Sequence, residues 1–145
     1  GVVMHEGKRA AMLAPEVYFS QDDVRAVQLA KAAIRTGVEM LLHERGLHEL
    51  QIDRFIIAGA FGAYIDIESG VATGLFPDLP RDRFEQVGNA AGLGVRQMLA
   101  SRAARTRAAD IASTCEYVEL STHSAFQKTF LHHIGFHSDP KRRPS

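Results

Sequence analysis

Helix-forming and strand-forming patterns alternate along this chain, and that alternation limits the folds open to it more than any single residue does. Glu6-Gly7-Lys8 sits between two short apolar stretches, which predicts a hairpin over residues 2–13, and Val17-Tyr-Phe reads as a further strand after Pro15. Ser20 opens the clearest element. Ser20-x-x-Asp23 is close to a capping box, and Asp22 and Asp23 suit the positive end of a helix. The spacing predicts a helix from there to about Arg45, with Gly46 as its stop. Its apolar stripe, Val24, Val27, Ile34, Val38 and Leu41, falls within about 100° of arc and is expected to face the core. Residues 51–58 read as a strand that breaks at Gly59-Ala-Phe-Gly62. A helix follows near 66–74, a loop at Pro77 and Pro80, a strand at 83–87, and a helix capped by Asn89. A helix across 102–112, a strand at 116–120, a helix over 121–134 and a frayed tail at 138–145 complete the expectation. Strands separated by helices in this order imply a layered α/β domain.

Length and charge narrow the function. With 145 residues the chain suits a single domain, taken as residues 1–137, and 46% hydrophobic residues can build a core. Seventeen basic residues balance seventeen acidic ones, which disfavours nucleic acid as a partner chosen by bulk charge. No apolar run is long enough to span a membrane. One cysteine, Cys115, excludes an internal disulfide or a cluster held by several thiolates, and points to a reducing cytoplasm. The opening Gly1-Val-Val-Met lacks an initiator methionine and begins inside a strand-like stretch, as expected of a piece of a longer protein.

Three places carry candidate chemistry. Lys31 falls inside the apolar stripe of the long helix. An ammonium there must snorkel, find a partner or face a ligand cleft, and Gln28 lies one turn earlier. Gly59-Ala60-Phe61-Gly62 ends a buried-type strand; a turn without Cβ atoms is either tight packing or a place where backbone approaches a nucleotide. It is neither a P-loop nor a dinucleotide fingerprint. Gly88-Asn89 opens a helix rich in small residues, suited to close packing or to an anion at the helix N-terminus. His132, His133 and His137 lack a completing carboxylate, so no metal site is expected, and no nucleophile setting surrounds Cys115. Arg96, Arg102, Arg105 and Arg107 read as a solvated face or a docking patch.

Taken in order, Ser20-Gln-Asp-Asp, Gln28-Leu-Ala-Lys31, Ile57-Ala-Gly-Ala-Phe-Gly62, Gly74-Leu-Phe-Pro77, Val87-Gly-Asn-Ala-Ala-Gly92 and Glu116-Tyr-Val-Glu-Leu120 resemble the C-terminal region of reductive activators of corrinoid proteins. The resemblance implies a ribonuclease-H-like lobe of an actin/heat-shock/sugar-kinase-type ATPase, a mixed sheet flanked by helices. It implies ATP with Mg2+ as ligand of the full-length protein and a [2Fe–2S] cluster in an N-terminal domain outside this chain. It further implies that the whole protein returns Co(II) corrinoid to Co(I), with a corrinoid protein or its methyltransferase complex and the missing lobe of the same chain as partners. A second copy of the chain is a candidate partner through the cleft wall that an isolated lobe exposes. On this resemblance the cofactor contacts are Gln28, Lys31, Gly59, Ala60, Phe61, Gly62, Gly88 and Asn89, with no catalytic residue. Gln28 stands where heat-shock chaperones carry an acidic residue, and an amide still hydrogen-bonds a ribose hydroxyl. A non-catalytic interaction module of the same fold, or a lobe of a small-molecule kinase, are the competing readings.

Overall fold

A computed structural model describes residues 1–120 and 122–136, apart from the side chain of Phe61. Three antiparallel strands open the chain, β1 (Val2–His5), β2 (Lys8–Ala14) and β3 (Val17–Ser20), in the order β1-β2-β3. Glu6 and Gly7 both take positive φ, 48° and 73°, the primed-turn geometry that matches strand twist in a two-residue hairpin. The register follows, with His5 opposite Lys8 and Val3 opposite Ala10.

Helix α1 (Gln21–Glu44) starts on a complete capping box: Ser20 Oγ accepts from the Asp23 amide at 3.2 Å, and Asp23 Oδ2 accepts from the Ser20 amide at 2.7 Å. Lys8 of β2 pairs with Asp22, fastening the hairpin to this helix end. Two parallel strands follow, β4 (Phe55–Ala58) and β5 (Phe84–Gly88), linked through the short helix α2 (Ile67–Ala72). Antiparallel and parallel pairings are thus both present, as expected, and they form two separately hydrogen-bonded groups. Phe55, Phe76 and Phe84 pack with ring centroids 5.5–6.1 Å apart, and with Leu79 and Pro77 they form the core of the parallel half. Helices α3 (Ala90–Ala100), α4 (Arg102–Thr114) and α5 (Phe126–Ile134) complete the described chain.

Helix α5 returns to pack along α1, and this contact corrects two expectations. The apolar stripe of α1 is not its buried face: Val27, Ile34 and Leu41 are 39–47% exposed, whereas Ala32, Thr36 and Met40 are buried. The covered face lies roughly 100° or more around the helix from the stripe. Small side chains at 32, 36 and 37 let α5 and its leading segment come close, and Leu120 Cδ1 lies 3.6 Å from where a Cβ on Gly37 would stand. Residues 116–120 are not a strand. Its β-prone Tyr117 and Val118 are there, but the segment runs over α1 instead of along a sheet edge, with Glu116 bonded to Arg45 at 2.6 Å. The last helix begins at Phe126, later than expected; Ser121, His137 and the 138–145 tail lie outside the described residues.

Candidate functional site

Parallel strands deliver their carboxyl ends to one side of a sheet, where open α/β folds hold ligands. Here those ends carry two glycine corners. Gly59, at φ 98°, follows β4, and Gly88, at φ 59°, closes β5. The Gly59 amide donates to the Gly88 carbonyl at 2.7 Å, so the corners are bound to each other directly. The Gln86 amide, on β5, donates to the carbonyls of Gly62 and, at 2.8 Å, Ile65. That side chain fastens the 3-10 turn at 61–63 onto the neighbouring strand. Gly62 is tightly enclosed: a Cβ there would meet Ile57 Cγ2 at 2.8 Å and the Ile57 backbone at 3.2 Å. A Cβ on Gly59 would meet nothing within 4 Å, so its space is open. Asn89 caps α3, its Oδ1 accepting from the Gly92 amide at 2.9 Å.

The structure therefore joins Gly59, Ala60, Gly62, Gly88 and Asn89 at one edge, with the backbone of Phe61 between them. Gln86 is the member that the sequence reading missed. Its signal is an uncharged amide two residues before a glycine corner, on a strand that also carries Glu85.

Lys31 is arranged differently. It is 1% exposed, and its ammonium donates to the Gly135 carbonyl at 2.8 Å, just past the end of α5. The Phe136 ring lies 5.5 Å from the ammonium, and Gly74, after α2, approaches so closely that its Cβ would stand 3.3 Å from Nζ. Burial first, then the Arg35 guanidinium one turn on, hold the Lys31 pKa below the ordinary lysine range. Lys31 is thus satisfied within the protein by the end of α5, and Gln28 is half-buried on the same helix. A ligand reaches this ammonium only where Gly135 and Phe136 give way.

The histidines of α5 have local work. His133 is buried and its Nε2 meets Glu39 Oε2 at 2.7 Å, tying α5 to α1. Cys115 is exposed, its thiol on the Ile111 carbonyl. Arg96, Arg102, Arg105 and Arg107 are all exposed, on α3 and α4. No helix among the described residues is long and apolar enough to cross a membrane.

Residues 1–144 match the family described as the C-terminal domain of RACo, the ASKHA domain. The chain belongs to that family. It is similar to the corrinoid activation enzyme RamQ of Eubacterium limosum, 36% identical over 116 residues, which are 80% of this chain and 20% of that protein. Among solved structures it is similar to a reductive activator for corrinoid, iron-sulfur protein, with a TM-score of 0.84 and 32% identity over 99% of this chain and 24% of that one. The ASKHA domain described here therefore spans about a fifth to a quarter of the length of those relatives. The actin-like α/β architecture expected from the ordered motifs is the architecture of this family.

Implied ligands can be tested against the residues present. A [2Fe–2S] cluster needs several thiolates, and one exposed cysteine does not supply them. At the glycine corner Gly59 leaves open space for a ligand's approach, and the corner bonds hold the backbone in place. The corner itself carries no carboxylate for Mg2+.

Proposed function

We propose that this ASKHA domain is the nucleotide-binding lobe of an ATP-dependent reductive activator, one that returns Co(II) corrinoid proteins to Co(I) for methyl transfer. The observation that carries the reading is the direct Gly59–Gly88 bond between two glycine corners at the ends of parallel strands, in a chain that matches the RACo C-terminal domain along its length. The nucleotide lies against Gly59, Ala60, Phe61 and Gly62, with Gly88 and Asn89 flanking it. Gln28 and Lys31 join from α1 once the end of α5 shifts. Redox chemistry belongs to an iron–sulfur centre elsewhere in the full protein and to the corrinoid cobalt. This lobe supplies position. Nucleotide changes the grip on a corrinoid protein only through different affinities for open and closed arrangements of the two lobes. The same reading puts the protein in the cytoplasm.

Titration of the full-length protein with a fluorescent ATP analogue tests it. Saturable binding that Gly59→Val abolishes is the expected result. Absence of binding, or binding unchanged in Gly59→Val, would leave the fold serving as a docking module through its arginine face.

A further inference from the structure

Helix α1 ends beside the segment that leads into α5, and three side chains meet there. His43 and Glu44 occupy the last turn of α1, and His123 comes from the connection before α5. One ligand atom from each lies within 4.8 Å of the other two. His123 Nε2 and Glu44 Oε1 are 3.2 Å apart, and the His43 and His123 rings meet edge-on at 6.2 Å. We propose that His43, Glu44 and His123 form a binding site for a zinc-class divalent cation that clamps the connection before α5 to the end of α1.

Four physical points carry this. Two imidazoles and one carboxylate are a donor set suited to zinc, with water as the fourth ligand. Nitrogen and oxygen ligands at about 2.0–2.1 Å around a tetrahedral ion stand about 3.3 Å from each other, and the His123–Glu44 separation already has that value. The C-terminal end of a helix carries partial negative charge, which favours a cation. The nearest arginine in sequence, Arg45, is drawn aside by Glu116 at 2.6 Å.

The proton balance is specific. The Ala125 amide now donates to His123 Nδ1 at 3.1 Å, which leaves the ring proton on Nε2, facing Glu44. Ligation through Nε2 moves that proton to Nδ1 and releases the Ala125 amide. Ala125 is exposed, so water replaces the lost acceptor at small cost. The ordinary resting state is thus a histidine–carboxylate contact, and the ion exchanges it for a three-point clamp.

The test uses the full chain after removal of metal with a chelator. Calorimetric titration with Zn2+ should show one saturable equivalent, and Co2+ should give a tetrahedral-type visible spectrum. His123→Ala and His43→Ala should each weaken Zn2+ binding by about tenfold or more, and Zn2+ should speed hydrogen exchange at the Ala125 amide. His43 is exposed at a helix end, so circular dichroism of His43→Ala separates ligand loss from misfolding. Absence of saturable uptake would overturn the site. So would uptake that survives both substitutions yet is lost in His132→Ala, which would put the ion on α5.

Discussion

Gly59→Ala should destabilise the domain, while the same substitution at Gly94 should stabilise it. Gly59 has φ 98°, well beyond the left-handed helical value near 57° that a few side chains tolerate. An L-residue held there carries about 1–3 kcal/mol of backbone strain. Reduced freedom of the unfolded chain returns about 0.4–1 kcal/mol. No atom lies within 4 Å of the new methyl, so steric repulsion adds nothing. The net is a loss of about 1–2 kcal/mol. Gly94 sits inside α3 with equally open space around its Cβ position and no positive φ. Alanine there recovers about 1 kcal/mol of helix propensity. Urea unfolding followed by circular dichroism reads both. With a slope of about 2 kcal/mol per molar, the midpoint falls by roughly half to one molar in Gly59→Ala and rises by about half a molar in Gly94→Ala.

A Gly59→Ala variant as stable as the parent would refute the argument, because the backbone then reaches an ordinary conformation without loss. The Gly59–Gly88 bond of 2.7 Å would also have to survive that change. The same variant separates geometry from function. A fall in stability with unchanged ATP-analogue affinity would keep the strained corner and remove the nucleotide from it.

Gly70→Ala puts a methyl 2.3 Å from Phe76 Cδ2, so unfolding measurements should show a loss of about 1–3 kcal/mol, and a double-mutant cycle with Phe76→Leu should return part of it. Ser20→Ala removes the acceptor of the Asp23 amide and should lower stability by about 1 kcal/mol in the same assay. Lys31 has its pKa lowered by burial, so the unfolded chain holds that proton more tightly than the folded one. Its contribution to stability therefore rises with pH between the depressed folded value and the ordinary lysine value. The difference between parent and Lys31→Met in urea midpoint across that alkaline window should show this slope, and a flat difference would refute the assignment.

Local rules located most of the elements. The Ser20 capping box, the Glu6-Gly7 hairpin and the Asn89 cap are each dictated by a few neighbouring residues and stand where the pattern placed them; the strand before Gly59 ends where expected but begins only at Phe55, because a 3-10 turn takes Glu49–Gln51. The glycine corners were legible for the same reason, since positive φ is a local demand. Their mutual bond was not, because residues 59 and 88 meet only through the parallel pairing of β4 with β5. The 116–120 segment failed as a strand because the β propensity of Tyr117 and Val118 says nothing about whether a sheet edge is within reach.

The long helix shows where periodicity misleads most. Counting apolar residues gives weight to Val27, Ile34 and Leu41, and those are the ones left substantially exposed. Two helices that pack at about 8–10 Å between axes select small residues at their contact, and α1 offers Ala32, Thr36 and Gly37 to α5 and the segment before it. Closeness is obtained at the expense of polar satisfaction: Thr36 Oγ1 and Arg35 Nη1 are buried without partners among the described residues. Lys31, also buried, escapes that fate through the Gly135 carbonyl, an atom more than a hundred residues away in sequence. Its position on the helix was readable as an anomaly. Its partner was fixed by the same close approach of α5 that buried the small face, so the anomaly and its resolution have one cause.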